Sequence, residues 1–161
     1  MKDVRVSDEA IGALERVYRE HGDRLWRAVF AWAGDRQVAD DAVAEAFTQA
    51  LRRGAELRDP LAWIWRVAFR LAAGELKDRR ARGGSRVPDR SYEMPETTGD
   101  LLRALRRLSP KQRAAVVLHH YAGYPVKEIA EIVGSTQAAV RVHLSAGRKR
   151  LRALLEDEAD V

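Results

Sequence analysis

Cysteine is absent from the 161 residues. That excludes disulfides, a thiol nucleophile and cysteine-ligated zinc, and it fits a reducing compartment. Long apolar runs are also missing. Nothing approaches the roughly 18 residues of a membrane span, and residues 1–10 lack the apolar centre of a secretory leader. A cytoplasmic protein without membrane insertion is therefore expected. Strand-type alternation of apolar and polar residues is not found either. Histidine is scarce, at four residues, and badly placed for chemistry. His119 and His120 are adjacent and face different directions, while His21 and His143 lie in different halves. No glycine-rich loop cradles phosphate, and no nucleophile has a base in sequence reach. Neither a catalytic set nor a metal site emerges, and no cofactor is implied.

What is present is globular in composition, with 46% hydrophobic and 33% charged residues. Lys and Arg number 29 against 24 Asp and Glu, a net charge of +5. The excess is uneven. Residues 1–78 carry 13 basic and 14 acidic groups, residues 79–99 carry 5 and 3, and residues 100–161 carry 11 and 7. A basic second half is what contact with a polyanion requires.

Residues 81–99 hold three glycines and two prolines without apolar periodicity, the marks of a linker. So long an unstructured joint is unusual inside one domain. The expected architecture is all-α, with two small helical bundles, residues 1–80 and 100–161, joined by a flexible tether. In the first, Ile11, Leu14, Val17, Tyr18, Leu25, Val29 and Trp32 follow helical spacing over residues 7–32, with a bend at His21-Gly22. A second helix, 36–53, follows the turn and cap Gly34-Asp35, with Val43, Phe47 and Ala50 on its stripe. A third begins with the cap Asp59 and Pro60 at the first helical position and turns Leu61, Ile64, Ala68 and Leu71 inward. Trp26, Phe30, Trp32 and Trp65 read as core, and Trp63 stands between core and contact.

In the second half, Leu101, Leu105 and Leu108 form a short stripe. Ser109-Pro110-Lys111-Gln112 is a capping box opening a helix with Ala114, Val117, Leu118 and Tyr121. After the turn 122–125, Val126, Ile129, Ala130 and Val133 make a compact helix ending at Gly134. Ser135-Thr136 cap the last helix, striped by Val140, Leu144, Gly147, Leu151 and Leu154. A short helix, a turn centred on glycine and a longer helix make a helix-turn-helix, whose second helix presents its outer face to the major groove. That face carries Ala138, Arg141, Val142, Ser145 and Lys149, with Arg148 and Arg152 beside them. Between Arg141 and Arg152 there are five basic residues and no acid.

The run Pro110 to Leu144, continued by Arg148-Lys-Arg-Leu151, resembles the promoter-binding C-terminal domain of bacterial sigma factors. The segments Tyr18–Trp26, Gly34-Asp35, Ala39-Asp-Asp41, Glu45-Ala-Phe47 and Asp59–Ala68 are similar to that family's N-terminal domain. Two such domains in family order, with only a tether between them, resemble the extracytoplasmic-function subgroup. The resemblance implies a subunit that binds core RNA polymerase and promoter DNA and directs transcription initiation, with no catalysis of its own and a plausible anti-sigma factor as a further partner.

Roles follow by matching positions. Asp40, Asp41, Glu45 and Gln49 are implied as polymerase contacts. Asp41 and Glu45 lie on one helix face, where like charges slightly destabilise an isolated helix and a basic partner would offset the cost. Arg52 and Arg58 flank the loop that helps hold an extruded base of the minus-ten element. Trp63, Arg66, Arg70 and Lys77 suit the melted strand, because bases stack and phosphates pair with cations. Gln137, Ala138, Arg141, Val142, Ser145, Arg148 and Lys149 are implied as minus-thirty-five contacts. Departures stand beside the match. Ala44, Phe69-Arg70 and Gly74 replace residues common in the family, and Val142, His143 and Ala146 stand where Ser, Arg and Arg are usual. Two other readings fit the residues. One is a helix-turn-helix regulator that binds an operator without polymerase, and the other is a sigma-like interaction protein that does not initiate transcription.

Overall fold

The computed structural model describes residues 7–83 and 96–159. Every regular element among them is helical. The chain divides into two compact units, residues 1–85 and 86–161. Most of the stretch read as a linker lies outside the described residues. Its last four residues, 96–99, belong to the first helix of the second unit.

In the first unit, helix α1 (Asp8–Ala33) starts at Ser7, whose hydroxyl accepts from the Ala10 N–H at 3.2 Å. Asp8 and Glu9 in its first turn complement the positive end of the helix dipole. The helix runs through His21-Gly22 without a break. Gly22 is buried against the Tyr18 ring, which lies 3.5 Å from where a Cβ would stand. The chain leaves α1 at Gly34, at φ 67°, a left-handed conformation costly to other residues. Helix α2 (Arg36–Arg53) is capped by Asp35, which accepts from Val38 N–H at 3.0 Å. After a 3₁₀ turn at Gly54–Glu56, Asp59 caps helix α3 (Pro60–Ala81) with Pro60 at its first position.

Leu25, Val29, Phe30 and Trp32 of α1 are buried with Val38, Ala39, Val43, Ala46 and Ala50 of α2 and Ile64, Trp65, Ala68, Phe69 and Ala72 of α3. The alanines of α2 let its neighbours approach closely. Three aromatic rings tie α1 to α3, with Phe69 centred 5.5 Å from Trp32 and 6.2 Å from Trp65. At the rim, Arg79 donates to Asp35 at 2.5 Å and to Glu75 at 3.1 Å, fastening the end of α3 to the cap of α2. Leu61 and Leu71 are only half-buried, and Trp65, Phe69 and Ala72 fill the inward stripe of α3 instead. Tyr18 is 63% exposed and packs edge-on against Phe47 at 5.2 Å. Trp26 is half-buried rather than core. Its ring stacks on Phe30 and its indole N–H donates to Asp40 Oδ1 at 2.7 Å.

The second unit holds α4 (Glu96–Arg106), α5 (Pro110–Val116), α6 (Val126–Val133) and α7 (Gln137–Ala159). The capping box at Ser109 is complete, with Ser109 Oγ accepting from Gln112 N–H and Gln112 Oε1 accepting from Ser109 N–H, both at 3.2 Å. A single π turn, Val117–Tyr121, follows α5. Ala104, Leu105, Leu108, Val116, Leu118, Tyr124, Ile129, Ile132, Val140 and Leu144 make the core. Leu101 and Tyr121, expected inside, are about two-fifths exposed, at 40% and 39%.

Candidate nucleic-acid interface

Helix α6 braces α7 through a three-residue turn. Gly134, at φ 66°, ends α6, and the Ser135 N–H returns to the Ala130 carbonyl at 2.9 Å. Thr136 Oγ1 accepts from the Ala139 N–H at 3.1 Å and starts α7. Val140, Leu144 and Gly147 then hold one side of α7 in the core. A Cβ at Gly147 would stand 2.9 Å from Val116 Cγ2 and 3.2 Å from the Gln112 carbonyl oxygen. The α5–α7 approach is thus closer than a side chain at 147 permits.

With that face fixed, Gln137, Ala138, Arg141, Val142, Ser145, Arg148 and Lys149 are all exposed. Arg141 Nη2 donates to Gln137 Oε1 at 3.4 Å, so a fork of donors and an amide stand together near the start of the helix. His143 is half-buried at the side of this face. A helix N-terminus, a cationic outer face and a rigid bracing helix are what groove binding requires.

In the first unit, two further surfaces are separable. On α3, Arg70 and Lys77 are exposed while Trp63 and Arg66 are half-buried, and Arg52 and Arg58 beside the 3₁₀ turn are exposed. Arg53, which sequence reasoning passed over, places its guanidinium 5.7 Å from the Trp63 ring centre. The basic pair Arg52-Arg53 hinted at it, but the contact crosses from α2 to α3 and has no periodic signature. On α2, Asp41 accepts from Gln37 at 2.9 Å and Glu45 from Gln49 at 3.0 Å. Asp41 and Glu45 rim an open depression with Glu75, floored by Val38, Ala42 and Leu71. Asp40, though exposed, is held by Trp26.

Residues 98–151 match the family Sigma-70, region 4. The chain is 29% identical over 163 residues to the ECF RNA polymerase sigma factor BldN of Streptomyces coelicolor, covering 91% of this chain and 62% of that protein. It is 30% identical over 154 residues to the ECF RNA polymerase sigma factor SigM of Mycobacterium tuberculosis, covering 89% of this chain and 77% of that protein. The chain belongs to the ECF RNA polymerase sigma factors. Its fold is similar to the sigma factor RpoE of Bartonella quintana, solved in complex with the anti-sigma factor NepR. The TM-score is 0.72 at 18% identity, over 88% of this chain and 96% of that one.

In this sigma factor the region 4 match contains all seven residues of the outer face of α7. It also contains a titratable group that composition alone did not single out. His120 is held below its usual value near 6.5, first by partial burial, then by His119 and by Arg148 on α7. His119 is fixed in place through Nδ1, 3.0 Å from the Tyr124 carbonyl oxygen. The unfolded chain therefore takes up the His120 proton at a higher pH than the folded one. Folding stability falls as pH drops through about 6.5 and is not regained below it. The slope is shallow, because His120 is exposed and solvent screens the effect. Thermal melts between pH 7.5 and 5 should show this loss, and His120→Gln should flatten it.

Proposed function

We propose that this protein is an alternative sigma factor that binds core RNA polymerase, recognises a promoter and directs transcription initiation from it, in the cytoplasm. The observation carrying the reading is the outer face of α7. Seven exposed residues without an acid lie on the second helix of a helix-turn-helix, inside the region 4 match. That face would read the minus-thirty-five element, with Gln137, Arg141 and Ser145 at base edges and Arg148 and Lys149 at phosphates. Asp41, Glu45 and Gln49, with Asp40 beside them, would dock on a basic polymerase surface. Arg52, Arg58, Trp63, Arg66, Arg70 and Lys77 would hold the melted minus-ten strand. Arg53 keeps the Trp63 ring positioned for stacking. Opening the duplex then needs no chemistry, only tighter binding of the separated strand than of the paired one. An anti-sigma factor is a fitting further partner, as one is bound to RpoE of B. quintana.

In vitro transcription with core polymerase on a promoter library tests the reading. Promoter-specific transcripts should require this chain. Arg141→Ala should leave polymerase association intact and cost about 1–3 kcal/mol of discrimination at one base pair of the upstream element, the usual worth of an Arg–guanine pair. Operator binding by the chain alone, with no transcripts when core enzyme is added, would contradict the proposal.

A further inference from the structure

An apolar row runs along the outer face of α7. At about 100° per residue, Ala138, Val142 and Ala146 recur at i, i+4 and i+8 on the side opposite Val140, Leu144 and Gly147. All three are exposed, Val142 to 65%. Val142 lies at about 200° from Val140, almost directly away from the core. Arg141, Ser145 and Lys149 rim one edge of the ridge, and no acid interrupts it. When the first turns of the helix enter a major groove, Ala138 and Val142, at about 160° and 200° from Val140, are therefore the outward side chains without a hydrogen-bonding atom, with Ser145 at about 140° beside them and Lys149 at about 180° two turns further on. A base edge offers such side chains only one matching group, the 5-methyl of thymine. An arginine or serine at 142 would be satisfied by water in the free protein, whereas an exposed branched aliphatic group gains only when another apolar group covers it.

We propose that Val142, with Ala138 one turn before it, reads thymine 5-methyl groups in the upstream promoter element. The inference rests on the sigma-factor reading and names what one part of that interface recognises. It makes Val142 a specificity-determining residue, beside the hydrogen-bonding pair Arg141 and Gln137. The ridge disfavours cytosine by offering its amino group no acceptor, and it gains nothing from a purine, which has no methyl for the side chain to cover.

The test uses the full chain assembled with core RNA polymerase. Upstream elements are selected from a randomised duplex library, and each thymine of the enriched sequence is then replaced singly by uracil, which removes one methyl and nothing else. At one or two positions the exchange should weaken binding about three- to fivefold, the worth of one buried methyl. With Val142→Ala the thymine-to-uracil ratio at that position should approach one. A wild-type ratio of one at every position, or a ratio that Val142→Ala leaves unchanged, overturns the inference while sparing the sigma-factor reading. Failure to enrich any upstream sequence overturns both.

Discussion

Asp41→Arg should weaken association with core RNA polymerase by about 100-fold or more and abolish promoter-specific transcription, because like charges brought together at an interface cost several kcal/mol. The expectation follows from where the acids stand. Asp40 is engaged by the Trp26 indole across from α1, so Asp41 and Glu45 are the carboxylates of that face left to meet a partner, each steadied by a glutamine four residues away on its own helix. Glu75 lies across the same depression. A guanidinium introduced at 41 would not only remove one negative charge. It would pair with Glu45 one turn on and withdraw that carboxylate too. Asp41 is exposed, and its hydrogen bond is to Gln37 on its own helix, so the fold should change by less than about 0.5 kcal/mol. Co-purification with core enzyme, read against a thermal melt of the free variant, separates lost docking from lost structure. Normal association would remove these acids from the interface. Glu75→Gln, at the far rim, should weaken association less.

Helix boundaries were legible in the sequence because caps are local. Asp35, Asp59 with Pro60, and Ser109 with Pro110 and Gln112 each satisfy backbone donors within their own first turn, and each starts a helix at the expected residue. Inward stripes were legible only while the helix stayed regular. The π turn at Val117–Tyr121 closes with the Ala122 N–H on the Val117 carbonyl, a five-residue spacing. That extra residue rotates Tyr121 outward and lets Tyr124, 8% exposed, take the inner place. Along α3 the expected stripe is only partly covered. Leu61 and Leu71 have helical spacing, yet neither is fully covered, while Phe69 beside them is completely buried.

Charge was legible as a total but not as a placement. Arg113 counts toward the cationic second half, yet it is 5% exposed and belongs to the interior of α5 rather than to any DNA-facing surface. The outer face of α7, by contrast, followed directly from the wheel, since a long helix with one buried stripe leaves no freedom for the opposite side. Contacts between helices distant in sequence left no periodic trace. Arg79 on Asp35, Trp26 on Asp40 and Arg53 over Trp63 each depend on how α1, α2 and α3 pack, and the last two each engage a candidate site residue.

Gly147→Val should destabilise the second unit by about 2–3 kcal/mol, because side-chain volume added to a closed contact forces helices apart. Glycine inside a helix is normally a liability, and alanine in its place gains about 1 kcal/mol of propensity. At 147 the gain meets a wall. Even the first carbon would stand 2.9 Å from Val116 Cγ2 and 3.2 Å from the Gln112 carbonyl oxygen, and that oxygen belongs to a capped helix that cannot yield freely. Gly147→Ala should therefore lose stability despite its better propensity, and valine, β-branched and larger, should lose more. Gly74, in the middle of α3, is exposed with nothing within 4 Å of where a Cβ would stand, so Gly74→Ala should instead stabilise the first unit by up to about 1 kcal/mol. Scanning calorimetry of the full chain reads both, the first as a fall of about 10–20 °C in the transition of the second unit. The consequence reaches function through geometry. Gly147 shares α7 with Arg141 and Val142, and the α5 contact sets the angle at which that helix leaves the unit. Below its melting temperature, Gly147→Val should still associate with core polymerase through the first unit while losing upstream-element selectivity. Unchanged stability for both Gly147 variants would mean that α5 and α7 are not held as closely as the packing at Val116 requires.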